Sequence, residues 1–360
     1  MKYFWSTKTL RNDVKLLERM YKEEINPRIK EEIAACINEA KAYIFEEEVE
    51  DKDKIDDLDA LCRAIPIFQE YYPYISEYRK KLQSYVDKEY EKETEMSENT
   101  QEKNRKLSKD DVMDLVNELY KSIGGEIYQQ FSKIFKNRFN NTRFQKQVER
   151  PSMIFIPGLN KPYMTLMSPE DDTYRTVLLS ATHELAHGTA SLINPRRYYG
   201  EEYYFNEIET FFFELVAQDY FACELNDKGF YDDAKCILLS QTDISEDILW
   251  TKKIADKRYK LGNPSKEKLL EKLTNKVLKS LIEGDIYSEP DDDIKYLFSY
   301  IVAIELYEVY KVDKYLALEM LNSIIDKKEN ESELESIRKI VTPNKSLIKY
   351  KNYIERKIKS

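Results

Sequence analysis

The chain has 360 residues and a net charge of −10. An acidic chain repels phosphate backbones, which argues against nucleic acid as a partner. Hydrophobic residues make up 42%, enough for a sizeable core, while glycine occurs only 8 times against an ordinary share of ~7%, so a mainly α-helical protein with few tight turns is expected.

In chain order, Met1 to Lys8 leads into charge and not into an apolar run, so no secretory leader is read. No stretch approaches the ~18 apolar residues that span a bilayer, so no membrane partner is expected. Leu10, Val14, Leu17 and Met20-Tyr21 recur at helical steps until Pro27 interrupts. A second run over 28–48 places Ile33, Cys36, Ile37, Ala40 and Ile44 on one side. Residues 46–57 are densely charged and read as an exposed helix end or loop, and 65–86, rich in Tyr and Ile, as another helix. Residues 88–111 are polar and read as a solvated connector. Helices resume over 110–139, with a break at Gly124-Gly125, so residues 1–150 read as a helical N-terminal lobe.

At Pro151 the texture changes. Residues 152–156 and 163–167 are apolar runs around a Pro/Gly/Asn turn, which predicts a β-hairpin. That hairpin would offer an edge strand to which an extended peptide could add, through Tyr163, Met164 and Thr165. Asp171-Asp172-Thr173 supplies N-cap chemistry for a helix that ends near Gly188 or Asn194-Pro195. Helical runs continue, broken near Gly229, Gly262-Asn263-Pro264, Ser288-Glu289-Pro290 and Pro343, so 151–360 reads as a mostly helical catalytic domain. The cysteines (36, 62, 223 and 236) form no C-x-x-C pair and read as reduced thiols of a cytoplasmic protein.

That capped helix carries both histidines of the chain, in His183-Glu184-Leu185-Ala186-His187. On a helix, H-E-x-x-H sets two imidazoles one turn apart on one face, ready to grip a zinc ion, with the glutamate placed to take a proton from water. A catalytic zinc needs three protein ligands and an open position. With no third histidine, an Asp, Glu or Cys must supply the third ligand. Residues 203–217 read as a mostly apolar helix in which a carboxylate is costly unless paired or coordinated. Glu207 is assigned as third ligand of one Zn²⁺ per chain. Glu214, two turns on along the same face, is assigned as a partner that orients an imidazole, and Glu209 is expected to point elsewhere. The pattern does not separate zinc from Co²⁺ or Mn²⁺.

At these residues the chain resembles the thimet oligopeptidase family of zinc metallopeptidases, which includes the oligoendopeptidase F group. The matching pieces are the hairpin with its motif helix, Glu207 with Glu214, and Tyr296-Leu297-Phe298-Ser299-Tyr300, together covering roughly 150–310. The resemblance implies a helical gluzincin-type zincin fold, with a small sheet beside the motif helix and helical lobes around a channel that admits short peptides. It implies hydrolysis with Glu184 as general base and Tyr296 as donor to the oxyanion, Tyr287 and Tyr300 being reserves. The chain departs from the family in several places. Ala186 replaces the usual Gly, the interval from His187 to Glu207 is shorter, and the whole chain is shorter. The family's substrate-side His is also absent, with acidic Ser288-Glu289-Pro290-Asp291-Asp292-Asp293 in its region. Two alternatives stay open: a peptidase dedicated to one partner peptide, or a peptide-binding regulatory protein on a weakly active scaffold.

Overall fold

The computed structural model describes residues 7–45, 106–136, 142–146, 151–156, 161–194, 207–231, 250–276 and 290–326, less 171, 251 and 263, with a few single residues elsewhere. The expected helix over 65–86, the charged segment 46–57, most of the polar connector and the break at Pro343 lie outside the described residues. The chain forms two compact units: Met1–Asp51 with Glu102–Glu201 and Glu209–Phe230, and Lys52–Gln101 with Glu202–Ile208 and Tyr231–Ser360. Within the first unit, hydrogen bonds and core contacts join residues on either side of residue 150.

The first unit opens with α1 (Thr7–Glu23) and α2 (Pro27–Phe45). Pro27 does not merely interrupt. It takes the first position of α2, where its missing N–H costs nothing and its fixed φ suits a helix. The Glu24 carboxylate accepts from the Ile25 and Asn26 amides (2.9 and 2.8 Å) and holds the intervening turn. Val14, Leu17, Ile33, Cys36, Ile37 and Ala40 form a buried cluster that also takes in Tyr163. The helical hairpin is thus joined to the sheet. Asp13 reinforces the joint, accepting from the Tyr163 hydroxyl and pairing with Lys161 Nζ at 3.1 Å.

Helix α3 (Lys109–Ile123) starts at a capping box, in which Ser108 Oγ accepts from the Asp111 amide (3.2 Å) and Asp111 Oδ2 from the Ser108 amide (2.8 Å). The predicted break falls at Gly124, where φ is +71° and a side chain would be strained, and α4 (Gly125–Lys136) follows.

The sheet has strands β1 (Thr142–Gln145), β2 (Ser152–Ile156) and β3 (Lys161–Met167) in the order β1-β3-β2. β2 and β3 form the expected antiparallel hairpin, with Met153 opposite Met164. β1 lies parallel to β3, with Arg143 opposite Thr165. This corrects the edge-strand expectation. β3 is the central strand, with β2 along Lys161–Thr165 and β1 along Met164–Met167, so an added peptide cannot pair with its Met164–Met167 half, and the outer strands among the described residues are β1 and β2.

Helix α5 (Tyr174–Ile193) starts at Thr173, whose hydroxyl accepts from the Thr176 amide (3.3 Å), and runs past Gly188 to a C-cap at Asn194. It packs on β3, α3 and α4. A glycine inside a helix costs about 1 kcal/mol relative to alanine, so Gly188 needs a packing reason. A Cβ there would lie 3.0 Å from Met164 Sδ, 3.4 Å from Ile134 Cδ1 and 3.4 Å from Pro162 Cβ. The bare backbone lets α5 sit close on β3 and α4. Gly188→Val should lower stability by about 1–3 kcal/mol, the usual cost of overpacking, read as an earlier denaturant midpoint. An unchanged midpoint would contradict the close approach.

Helix α6 (Ile208–Glu224) completes this unit's described elements. The N-terminus of α5 is tied to the turn after α6. Asp227 Oδ2 accepts from Tyr174 Oη and pairs with Arg175 Nη1 at 3.2 Å, while Asp227 Oδ1 accepts from the Gly229 amide at 2.9 Å. Burial first, then the bond to Asp227, pushes the Tyr174 phenol up to about 12.

In the second unit, α7 (Lys266–Lys272) lies near a cluster of Ile254, Leu269 and Leu273. α8 (Pro290–Tyr310) starts at the proline predicted as a break and buries Leu297, Phe298 and Tyr300. α9 (Lys314–Ile325) follows a turn in which Asp313 Oδ1 accepts from the Leu316 amide (3.0 Å). Among the described residues no helix is long and apolar enough to cross a membrane.

Candidate metal centre

α5 is buried along most of its circumference, so its polar side chains must find partners within the fold. The hydroxyls of Thr182, Thr189 and Ser191 donate to the carbonyls of Leu178, Leu185 and His187 (2.8, 2.7 and 2.8 Å). The motif side chains converge. The His183 and His187 rings stand 4.9 Å apart between centroids and almost perpendicular, at 83°. Glu184, His187 and Glu207 are buried, and His183 is partly so.

One ligand atom each from His183, His187 and Glu207 lies within 4.8 Å of the others. Two imidazoles and a carboxylate are the donor set of a catalytic zinc site with its fourth position open. The residues present fit a zinc ion. The structure brings these three sequence-predicted side chains together.

The His183 imidazole also meets a carboxylate. His183 Nδ1 lies 2.6 Å from Glu214 Oε1, a charge-assisted hydrogen bond in which the ring N–H donates. A proton held on Nδ1 by that carboxylate would leave the Nε2 lone pair for a metal. The Phe211 ring meets His183 edge-on at 6.1 Å and fills the space beside it. Removing an orienting carboxylate of this kind typically weakens metal affinity by roughly 10- to 100-fold. Glu214→Ala should do so, measured by competition with a chromophoric chelator; wild-type affinity would leave the bond without a role.

Glu209 does not point elsewhere. It is fully buried, with Oε1 3.7 Å from His187 Nδ1. The expectation treated Glu207 as a helical residue and read the face from it. Glu207 in fact sits in the turn before α6, so Glu209 occupies the first helical turn and reaches α5. Tyr120 on α3 borders this corner. Its hydroxyl donates to Thr182 O (3.1 Å), and its ring stacks on Phe131 with centroids 3.8 Å apart and the planes 4° from parallel. Burial, and then the charge of Glu209, push this phenol well above its ordinary range, so it stays a neutral donor.

Sequence reasoning missed both residues. For Glu209 a signal existed, a carboxylate enclosed in Ile208-Glu209-Thr210-Phe211, which must be partnered wherever it is buried. For Tyr120, one of 28 tyrosines, there was none.

The expected substrate residues lie on the central strand of the sheet. Tyr163, Met164 and Thr165 are buried on β3. Tyr163 bonds Asp13, Thr165 Oγ1 accepts from Arg143 Nε (3.1 Å), and Met164 faces Gly188. They carry α5 and so position the histidines. Tyr296 lies on α8 in the second unit and is 36% exposed, whereas Tyr300 is 1% exposed and Tyr287 lies outside the described residues.

No family model and no curated protein matches the chain. Solved structures do. One carrying the name oligoendopeptidase F superposes with a TM-score of 0.59 at 12% identity, covering 91% of this chain and 68% of its own. Another of that name, from Bacillus anthracis str. Ames, gives 0.53 at 14%, with 96% and 64% covered. PZ peptidase A, solved with an inhibitor, gives 0.51 at 10%, with 96% and 66% covered. The chain has the helical fold of these structures, with a small sheet beside the motif helix, and spans about two thirds of their length.

Proposed function

We propose that the chain is a zinc-dependent endopeptidase that hydrolyses short peptides. The observation that carries this reading is the convergence of His183, His187 and Glu207 with Glu184 buried beside them on the same helix. The shared fold with structures named as peptidases supports it. His183, His187 and Glu207 would hold the ion. When bound, it supplies Lewis acidity, lowering the pKa of a coordinated water and polarising the scissile carbonyl.

The protein's residues carry the proton. Glu184 accepts one from the attacking water as the new C–O bond forms. It then delivers that proton to the amide nitrogen as the C–N bond breaks, leaving a carboxylate and an amine. Tyr296 is the proposed donor to the developing oxyanion; among the alternatives, Tyr300 is buried too completely to meet a substrate. The substrate is an extended peptide recognised through its backbone, with an outer strand of the sheet, not β3, as its docking edge. A cytoplasmic setting belongs to the same proposal, and Cys36 and Cys223 are free thiols, in keeping with it.

Glu184 also weighs against a purely peptide-binding role, since binding alone requires no buried general base. Breadth of cleavage separates a general oligopeptidase from a dedicated processor. A mass-spectrometric scan of a diverse peptide mixture with the zinc-loaded protein should show many unrelated short peptides cut. Cleavage of one or very few would point to the dedicated enzyme, and no cleavage by a protein that holds zinc would overturn the peptidase reading.

A further inference from the structure

We propose that Glu209 is a positioning residue for His187, the counterpart of Glu214 on His183. This rests on the zinc reading of the site. Glu209 is fully enclosed, on the first turn of α6, where an ionised carboxylate is tolerated only against compensating partners. The described geometry gives it one at the metal site: Oε1 stands 3.7 Å from His187 Nδ1, within ion-pair range. That approach parallels the 2.6 Å contact of Glu214 with His183 Nδ1 from the same helix. Tyr120, close enough to feel the charge of Glu209, has its hydroxyl committed to Thr182 O and does not compete for His187.

The consequence is a carboxylate near each imidazole, at 2.6 Å for His183 and 3.7 Å for His187. α5 supplies both imidazoles, and α6 supplies a carboxylate behind each. A carboxylate accepting from Nδ1–H holds the proton on that nitrogen and turns Nε2 toward the ion, which raises the ring's basicity as a ligand. Since 3.7 Å exceeds a hydrogen bond, the pair is expected to shorten when the imidazole becomes a ligand.

The test compares wild type with Glu209→Gln and Glu209→Asp, using zinc affinity by chelator competition, the visible spectrum of the Co²⁺-loaded protein, and the unfolding midpoint of the metal-free protein. Glu209→Gln removes a buried charge but keeps the shape. The expected result is zinc affinity weaker by roughly 10- to 100-fold, an altered cobalt spectrum, and a metal-free midpoint that is unchanged or higher. Glu209→Asp should recover part of the affinity, because the charge returns. A role in packing alone would give the reverse: a lower metal-free midpoint with wild-type zinc affinity and spectrum, which would overturn the inference. Wild-type protein that binds no zinc would instead refute the reading on which it rests.

Discussion

Glu184→Gln should lower peptide cleavage by about 10²- to 10⁴-fold, the usual contribution of general acid–base catalysis, while one zinc per chain stays bound. Glutamine keeps the size of the side chain and its place on α5 but cannot accept the proton of the attacking water. Glu184 is 6% exposed, so the substitution exchanges a buried carboxylate for a neutral amide and should not unfold the helix. The His183–Glu214 bond does not involve it, so the orientation of that ring should survive. The measurement is a paired one, cleavage of a peptide mixture and zinc content on the same samples. Retained cleavage would remove Glu184 from the chemistry. Loss of zinc along with cleavage would mean that the residue holds the site together and is not its base.

The second large effect is expected at Glu207. Glu207→Gln replaces a charged ligand with a weak neutral one and leaves two imidazoles to hold the ion. Zinc affinity should fall by more than the roughly 10- to 100-fold that loss of an orienting partner costs, and cleavage at limiting zinc should fall with it. Because Glu207 lies in the turn before α6 and not within it, the substitution should leave the helix intact. Excess zinc should restore part of the cleavage, since Glu184 is untouched. Wild-type affinity in Glu207→Gln would mean that another group supplies the third ligand, and Glu209, buried beside His187, would be the residue to examine next.

How much of this was legible in the sequence depended on the range of the interaction. Local signals translated well. Thr173 caps α5 as read, Gly124 breaks the helical run where two glycines stood, and the runs flanking the Pro/Gly turn pair as a hairpin. The histidine pair was legible because four-residue spacing on a helix fixes a shared face, whatever surrounds it. Choices between non-local partners were not legible. An apolar run beside a Pro/Gly/Asn turn marks β3 as a strand but does not say whether its second edge is taken. The short β1 that takes it, Thr142–Gln145, has too few residues to show a period. The same gap concerns Tyr163, Met164 and Thr165, whose burial on the central strand beneath α5 the sequence did not show. Glu209 was misjudged for a different reason, since the direction of every side chain on α6 turns on where that helix begins, and helix ends are poorly fixed by pattern alone.

The most direct test of the account is to titrate metal-free protein with zinc while following cleavage of short peptides. The account predicts cleavage that is absent without zinc, rises in proportion to zinc added, and reaches a plateau at one equivalent per chain. Cleavage that proceeds at full rate in the metal-free protein, or one zinc taken up per chain with no peptide cut, would contradict it.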